Sequence, residues 1–151
     1  MLTYKQEFVD DCIDDIQHLI QLHWEEIALN KEKIKLNPDF EAYKELEGRG
    51  QLKIFTARDG EWLVGYFVVI LGRNIHYKDH IFAENDIIYI HPDHRKGFAG
   101  YRLIKFAETC LKEDGVSVLK INTKVHKPFD PLLERMKYGF IERVYSKYLG
   151  D

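Results

Sequence analysis

The chain has 151 residues, 45% of them hydrophobic and 31% charged, with 22 basic against 25 acidic side chains and a formal charge of -3. That suits one domain spanning residues 1–151 and is small for two catalytic lobes; the near balance of charge excludes a general attraction to polyanions or anionic membranes. The apolar run Phe67–Leu71 is too short to span a bilayer, and Met1–Glu7 lacks a basic segment followed by a long apolar one. An intracellular, cytoplasmic location is therefore expected. Cys12 and Cys110 lie on apolar helix faces and read as free core thiols.

The first predicted element is a helix from about Glu7 to Leu29, with Phe8, Cys12, Ile16, Leu19, Ile20, His23 and Ile27 in one stripe. Asp10, Asp11, Asp14 and Asp15 crowd its exposed beginning, where carboxylates suit the helix dipole. Asn37-Pro38-Asp39 marks a break, and a second helix carries Phe40, Tyr43 and Leu46 before Gly48 and Gly50 end it. Leu52–Ala57, the Asp59-Gly60 turn and Trp62–Ile70 read as a hairpin, followed by a long connection from Gly72 to His80.

The most informative stretch comes next. Asp86-Ile87-Ile88-Tyr89-Ile90 is a strand that Pro92 stops, and Arg95-Lys96-Gly97-Phe98-Ala99-Gly100 opens onto a helix, Gly100 to Glu113, with Leu103, Ile104, Ala107, Cys110 and Leu111 inward. Orphan amides at a helix start, a glycine-containing loop and cationic side chains make an anion site. Val116–Asn122 is a further strand, and reaching it through that helix implies a parallel crossover. A short helix from Pro131 to Lys137, Gly139 and a last strand, Phe140 to Tyr148, close an α+β (mixed α/β) domain.

The loop is neither GxxxxGK[ST] nor GxGxxG, and it follows several strands instead of opening a βαβ half. In this order the elements resemble the GCN5-related N-acetyltransferase (GNAT) superfamily over almost the whole chain. The resemblance rests on Ile90 to Ile104, where Arg95 and Gly100 match the family's cofactor loop, and on Leu133 to Phe140, ending in Gly139-Phe140. Phe98 takes the place of the loop's first glycine, and Arg135 stands where the family often has a tyrosine beside the departing thiolate. The whole sequence, including His76-Tyr77 and Asp86 before the cofactor loop, looks closest to small bacteriophage-encoded members, which implies the host cytoplasm.

The resemblance implies a central mixed sheet, mostly antiparallel, with a splayed parallel strand pair and flanking helices. It implies acetyl-CoA as donor and direct transfer of acetyl to a primary amine in a ternary complex. Main-chain groups of Ile88, Tyr89 and Ile90 are the expected pantetheine contacts; Arg95, Lys96, Gly97, Phe98, Ala99, Gly100, Tyr101 and Arg102 are the expected pyrophosphate cradle. Direct transfer needs a base for the amine, a donor to the carbonyl oxygen and help for the leaving thiolate.

Asp86 is the leading base candidate; by alternation it shares a face with Glu84, Ile88 and Ile90, and it either takes the proton, positions the acceptor or accepts backbone or His76 hydrogen bonds. His76 has a suitable intrinsic pKa and is otherwise a surface histidine. Arg135 is a candidate for thiolate stabilisation, as are Tyr138, Tyr145 and Tyr148 for its protonation. Asn122, ending its strand near the expected acyl cleft, either bonds the cofactor or caps the strand. His23, Glu25 and Glu26 are packed or solvated unless the cleft opens to them. His91, His94 and His80 form too weak a pattern for a metal site, and none is expected.

Two other readings keep the fold: transfer of a different acyl group to a protein or modified nucleotide, and a non-catalytic binding or inhibitory protein. Nucleic acid is a possible partner not indicated by net charge, no membrane partner is expected, and an exposed last strand makes a homodimer possible.

Overall fold

The computed structural model describes residues 1–151. In chain order the elements are β1 (Leu2–Glu7), α1 (Val9–Ile27), α2 (Phe40–Gly48), β2 (Leu52–Asp59), β3 (Trp62–Asn74), β4 (Tyr77–Ile90), a 3-10 turn at Pro92–His94, α3 (Ala99–Glu113), β5 (Val116–Lys120) and α4 (Asp130–Arg135). The five strands lie in sequence order, β1 to β4 antiparallel and β5 parallel to β4 across the α3 crossover. This is the expected mixed α+β sheet. No helix is long and apolar enough to cross a membrane.

Two apolar layers hold the sheet. On one face Phe55, Phe67, Val69, Leu71 and Ala83 pack against Leu103, Ile104, Ala107 and Leu111 of α3 and Leu133 of α4. On the other, Ile54, Tyr66, Val68 and Tyr89 pack against Val9, Cys12, Ile16 and Leu19 of α1. Each such side chain contributes about 1.5–3 kcal/mol when fully removed from water. Burial, with smaller effects from nearby charges, pushes the Cys12 thiol up to about 12, so it is an inert core group.

Four expectations change. Leu2–Glu7 is an edge strand, and the first helix starts after it, which leaves Phe8 exposed as its N-cap instead of on the buried stripe. The supposed connection from Gly72 to His80 is a tight hairpin, because β3 runs on to Asn74 and β4 begins at Tyr77. β5 ends at Lys120, two residues short of Asn122. Finally, Phe140 to Tyr148 form no strand: no main-chain group from Gly139 to Asp151 bonds another main-chain group.

Candidate active site

β4 and β5 are laddered only from Ile81 to Glu84, ending at the pair Glu84↔Lys120. Beyond that point β4 continues alone to Ile90, so the two parallel strands part. A bulge sits where they separate: Val68 of β3 faces Ile87 and Val69 faces Asn85, which leaves Asp86 as the extra residue. The Asn85 side chain then bridges the gap. Its Oδ1 accepts from the Asn122 amide at 2.7 Å and from Asn122 Nδ2 at 3.1 Å. Asn122 thus ties the chain beyond β5 to β4 at the root of the cleft.

The bulge overturns the expected facing of Asp86. Ile88 and Ile90 join the apolar layer beneath α3, whereas Asp86 turns toward α2 and accepts a hydrogen bond from the Tyr43 hydroxyl. Burial first, and then the Asp86 carboxylate, push the Tyr43 hydroxyl above its ordinary range, so it remains a donor. Tyr43 read as an apolar helix position in the sequence, and its link to Asp86 became visible only through the fold.

Around this pair lies a polar-aromatic layer. His23 bonds the Tyr66 hydroxyl through Nδ1 at 2.7 Å and stacks on Tyr89 with ring centroids 4.6 Å apart. Burial, with smaller effects from neighbouring charges, pushes the His23 imidazole down to about 4, so it is neutral at pH 7. Tyr89, whose main-chain groups were expected to contact the pantetheine, buries its ring here. By strand alternation its main-chain groups point to β3, and those of Ile88 and Ile90 point into the cleft.

At the cleft's far end the chain turns into α3. Gly97 takes φ +91°, the left-handed region that suits glycine, and Phe98 is the helix N-cap, supplying no side-chain hydrogen bond. The amides of Gly97, Phe98, Ala99, Gly100 and Tyr101 have no acceptor within the protein, and no acidic residue occupies the first turn. Lys96 and Arg102 are exposed beside them. These uncapped amides and two cations form an anion cradle. Gly100 serves packing: a Cβ there would stand 3.2 Å from Leu132 Cδ2, so the glycine lets α4 close on α3.

Arg95 behaves differently from its expected phosphate role. Its Nε donates to the Ile90 carbonyl at 2.8 Å, and its two terminal nitrogens grip Glu26 of α1 at 2.9 and 2.8 Å. The guanidinium also lies over the Tyr89 ring, 5.2 Å from its centroid. The paired hydrogen bonds hold the Glu26 carboxyl below its ordinary pKa. Arg95 therefore ties the loop to the end of α1, and Glu26 is a structural partner that the sequence left among solvated residues.

The remaining candidates are dispersed. His76 sits in the β3–β4 hairpin turn, about 30 Å from Asp86 at the rise of an extended strand, so it forms no pair with Asp86. Arg135 is exposed and lines a shallow groove with Tyr101 and Lys105, to which neither β4 nor β5 contributes. Tyr145 is 87% exposed on the tail. Tyr138 donates to Glu108 at 2.7 Å and Tyr148 to Asp151 at 2.8 Å. None of these groups has a hydrogen bond or ion pair to the parted stretch of β4 or to the start of α3.

No protein-family model matches the chain, and no curated protein matches it by sequence. Solved structures do match. A GCN5-related N-acetyltransferase from Ralstonia eutropha JMP134 superposes with TM-score 0.77 at 14% identity, over 99% of this chain and all (100%) of the other. An aminoglycoside acetyltransferase from an uncultured soil metagenomic sample, in complex with sisomicin, gives 0.75 at 14% identity over 99% and 95% of the two chains. A predicted acetyltransferase with acetyl-CoA from Clostridium acetobutylicum gives 0.72 at 10% identity over 98% and 96%. At these identities the likeness establishes the fold, which is that of the GNAT enzymes.

Proposed function

We propose that this protein is an acetyl-CoA-dependent N-acetyltransferase acting on a primary amine in a ternary complex. The carrying observation is the parting of β4 from β5 at the Asp86 bulge, with a cleft that leads to the uncapped, cation-flanked start of α3. The residues fit the donor. The amides of Gly97 to Tyr101, with Lys96 and Arg102, would hold a pyrophosphate, and the cleft-facing main chain of Ile88 would pair with a pantetheine amide. The Ile90 carbonyl already accepts from Arg95, which narrows the strand's free groups to those of Ile88 and the Ile90 amide.

Acetyl-CoA supplies an activated thioester whose thiol can leave. Asp86, an anion oriented by Tyr43, is the chain's means of drawing an ammonium to the bulge and of holding or taking its proton. The Tyr43 hydroxyl keeps one carboxylate oxygen fixed so that the other can face the acceptor. No enzyme-bound covalent intermediate is needed, because a neutral amine held against a thioester attacks it directly. The narrower likeness of the whole sequence to bacteriophage-encoded members, including His76-Tyr77 and Asp86, gains no support from the matching structures described above.

A second reading, a GNAT fold that binds acyl-CoA without turnover, is favoured by one feature: neither Arg135 nor the tail tyrosines have a hydrogen bond to the parted stretch of β4 or to the start of α3 that would hold them beside a leaving thiolate. Thiol release measured with acetyl-CoA across a panel of polyamines, aminoglycosides and peptide amines separates the two. Release matched by a one-acetyl mass gain on the amine supports transfer. Saturable cofactor binding with no release on any acceptor would replace it with the binding reading.

A further inference from the structure

Coenzyme A carries a phosphate monoester on its ribose in addition to the diphosphate, and the amides of Gly97 to Tyr101 serve only the diphosphate. Just beyond them lies a second concentration of positive charge. A groove of about 200 Å³ opens where α3 meets the end of α4, lined by Tyr101, Lys105 and Glu108 on one side and by Arg135, Met136 and Lys137 on the other. Three cations share it with one carboxylate. That carboxylate, Glu108, is already engaged, accepting from Tyr138 at 2.7 Å and from Lys105 at 3.2 Å. Neither Arg135 nor Lys137 makes an ion pair, so their charge is free for a ligand.

The groove is continuous with the cradle. Tyr101 belongs to both: its amide is the last of the uncapped set, and its exposed side chain lines the groove. Lys105 follows one helical turn later, about 5.4 Å along the axis. Two phosphates joined through a single ribose can therefore occupy the helix start and the groove together. Leu132 packs so closely on Gly100 that a Cβ there would stand 3.2 Å from Leu132 Cδ2, and this contact seats α4, with Arg135 on it, beside the first turn of α3. Lys137 takes φ +70° in the turn that ends α4, a conformation that favours glycine, so its long cationic side chain is held there at a backbone cost.

We propose that this groove receives the ribose 3′-phosphate of the donor, with Arg135, Lys137 and Lys105 as its cations and Tyr101 and Met136 beneath the ribose. The inference rests on the assignment of acetyl-CoA as donor. A guanidinium matches a phosphate through two parallel hydrogen bonds, and a phosphate monoester carries close to two negative charges at neutral pH. Arg135, standing where the family often has a tyrosine beside the departing thiolate, thus acts at the opposite end of the cofactor.

Calorimetric titration of the full chain with acetyl-CoA and with its 3′-dephospho form tests this. The wild type should bind acetyl-CoA about tenfold or more tightly than the dephospho form. Changing Arg135→Gln and Lys105→Gln together should bring acetyl-CoA down to about the affinity of the dephospho form, whose own binding should stay within about twofold of wild type. Both residues are exposed, and thermal unfolding checks that the variant is folded. Lys137→Gly suits φ +70°, so it should lower the preference about threefold without loss of thermal stability, which separates lost charge from lost fold. Equal wild-type affinity for the two thioesters, or a preference that survives the Arg135 and Lys105 changes, overturns this inference and leaves acetyl-CoA as donor. Absence of binding to either thioester overturns the donor assignment and this inference with it.

Discussion

The two faces of the sheet are built from the same strands and differ in kind. Beneath α3 and α4 the buried residues are apolar without exception, from Phe55 and Phe67 to Leu103, Ile104 and Leu133. Beneath α1 and α2 lie all three buried polar residues of the molecule, His23, Thr56 and Arg58, together with the Tyr43–Asp86 pair. The first face is replaceable packing, in which volume and shape set the energy. The second holds charges and hydroxyls whose worth depends on specific partners, and it is the face on which the bulge presents Asp86.

The largest expected effect falls on the polar face. Arg58 and Glu7, 8% and 7% exposed at their side chains, form a two-point pair at 2.8 and 3.1 Å, and Asp15 adds a contact at 2.9 Å. Burial alone would raise the Glu7 carboxyl; hydrogen bonds from Arg58 and Thr56 overcome it and hold the pKa below its ordinary value. Glu7→Ala removes two of the buried guanidinium's hydrogen bonds, leaving it Asp15 and the Glu61 carbonyl, and should cost about 3–5 kcal/mol, read by urea unfolding. Leu103→Ala, on the apolar face, should cost about 2–5 kcal/mol by cavity formation, with little change in the pH dependence of what stability remains.

Asp86→Asn sharpens the contrast from the other side. It keeps the Tyr43 contact and should leave unfolding within about 1 kcal/mol of wild type, while lowering kcat/KM about 100-fold or more, or roughly 3 kcal/mol of barrier. Next comes His23. Its folded pKa of about 4 lies below the ordinary 6.5, so the unfolded chain binds the extra proton between those values. The associated stability, on the order of 3 kcal/mol, is fully present above about pH 6.5 and is lost as pH falls toward 4. His23→Gln should flatten thermal stability across that window, and an unchanged profile would assign the dependence elsewhere. Tyr43→Phe is the smallest change, about tenfold in kcat/KM, because only the orientation of Asp86 is loosened.

Periodicity made α1, α2, α3 and the central strands legible, because each carries an unbroken apolar face. β1 was not legible, since Leu2–Glu7 alternates weakly and is a strand by virtue of its ladder to β2. Glu7 gave no sign of burial because its partner stands far along the chain, at Arg58. The uncapped helix start at Gly97 to Tyr101 was legible as a local motif, whereas the Arg95–Glu26 ion pair was not, because its two residues come from different elements. Asp86 was singled out as a candidate by its position before the loop, and its facing was misjudged because a bulge breaks the alternation on which that inference rests.

Calorimetric titration of the folded protein with acetyl-CoA shows whether the parted strands and the start of α3 receive this cofactor. Binding at one site per chain is predicted in the micromolar range, weakened about tenfold or more when Lys96 and Arg102 are both changed to Glu. Absence of heat at millimolar acetyl-CoA, or affinity untouched by that double change, would contradict it.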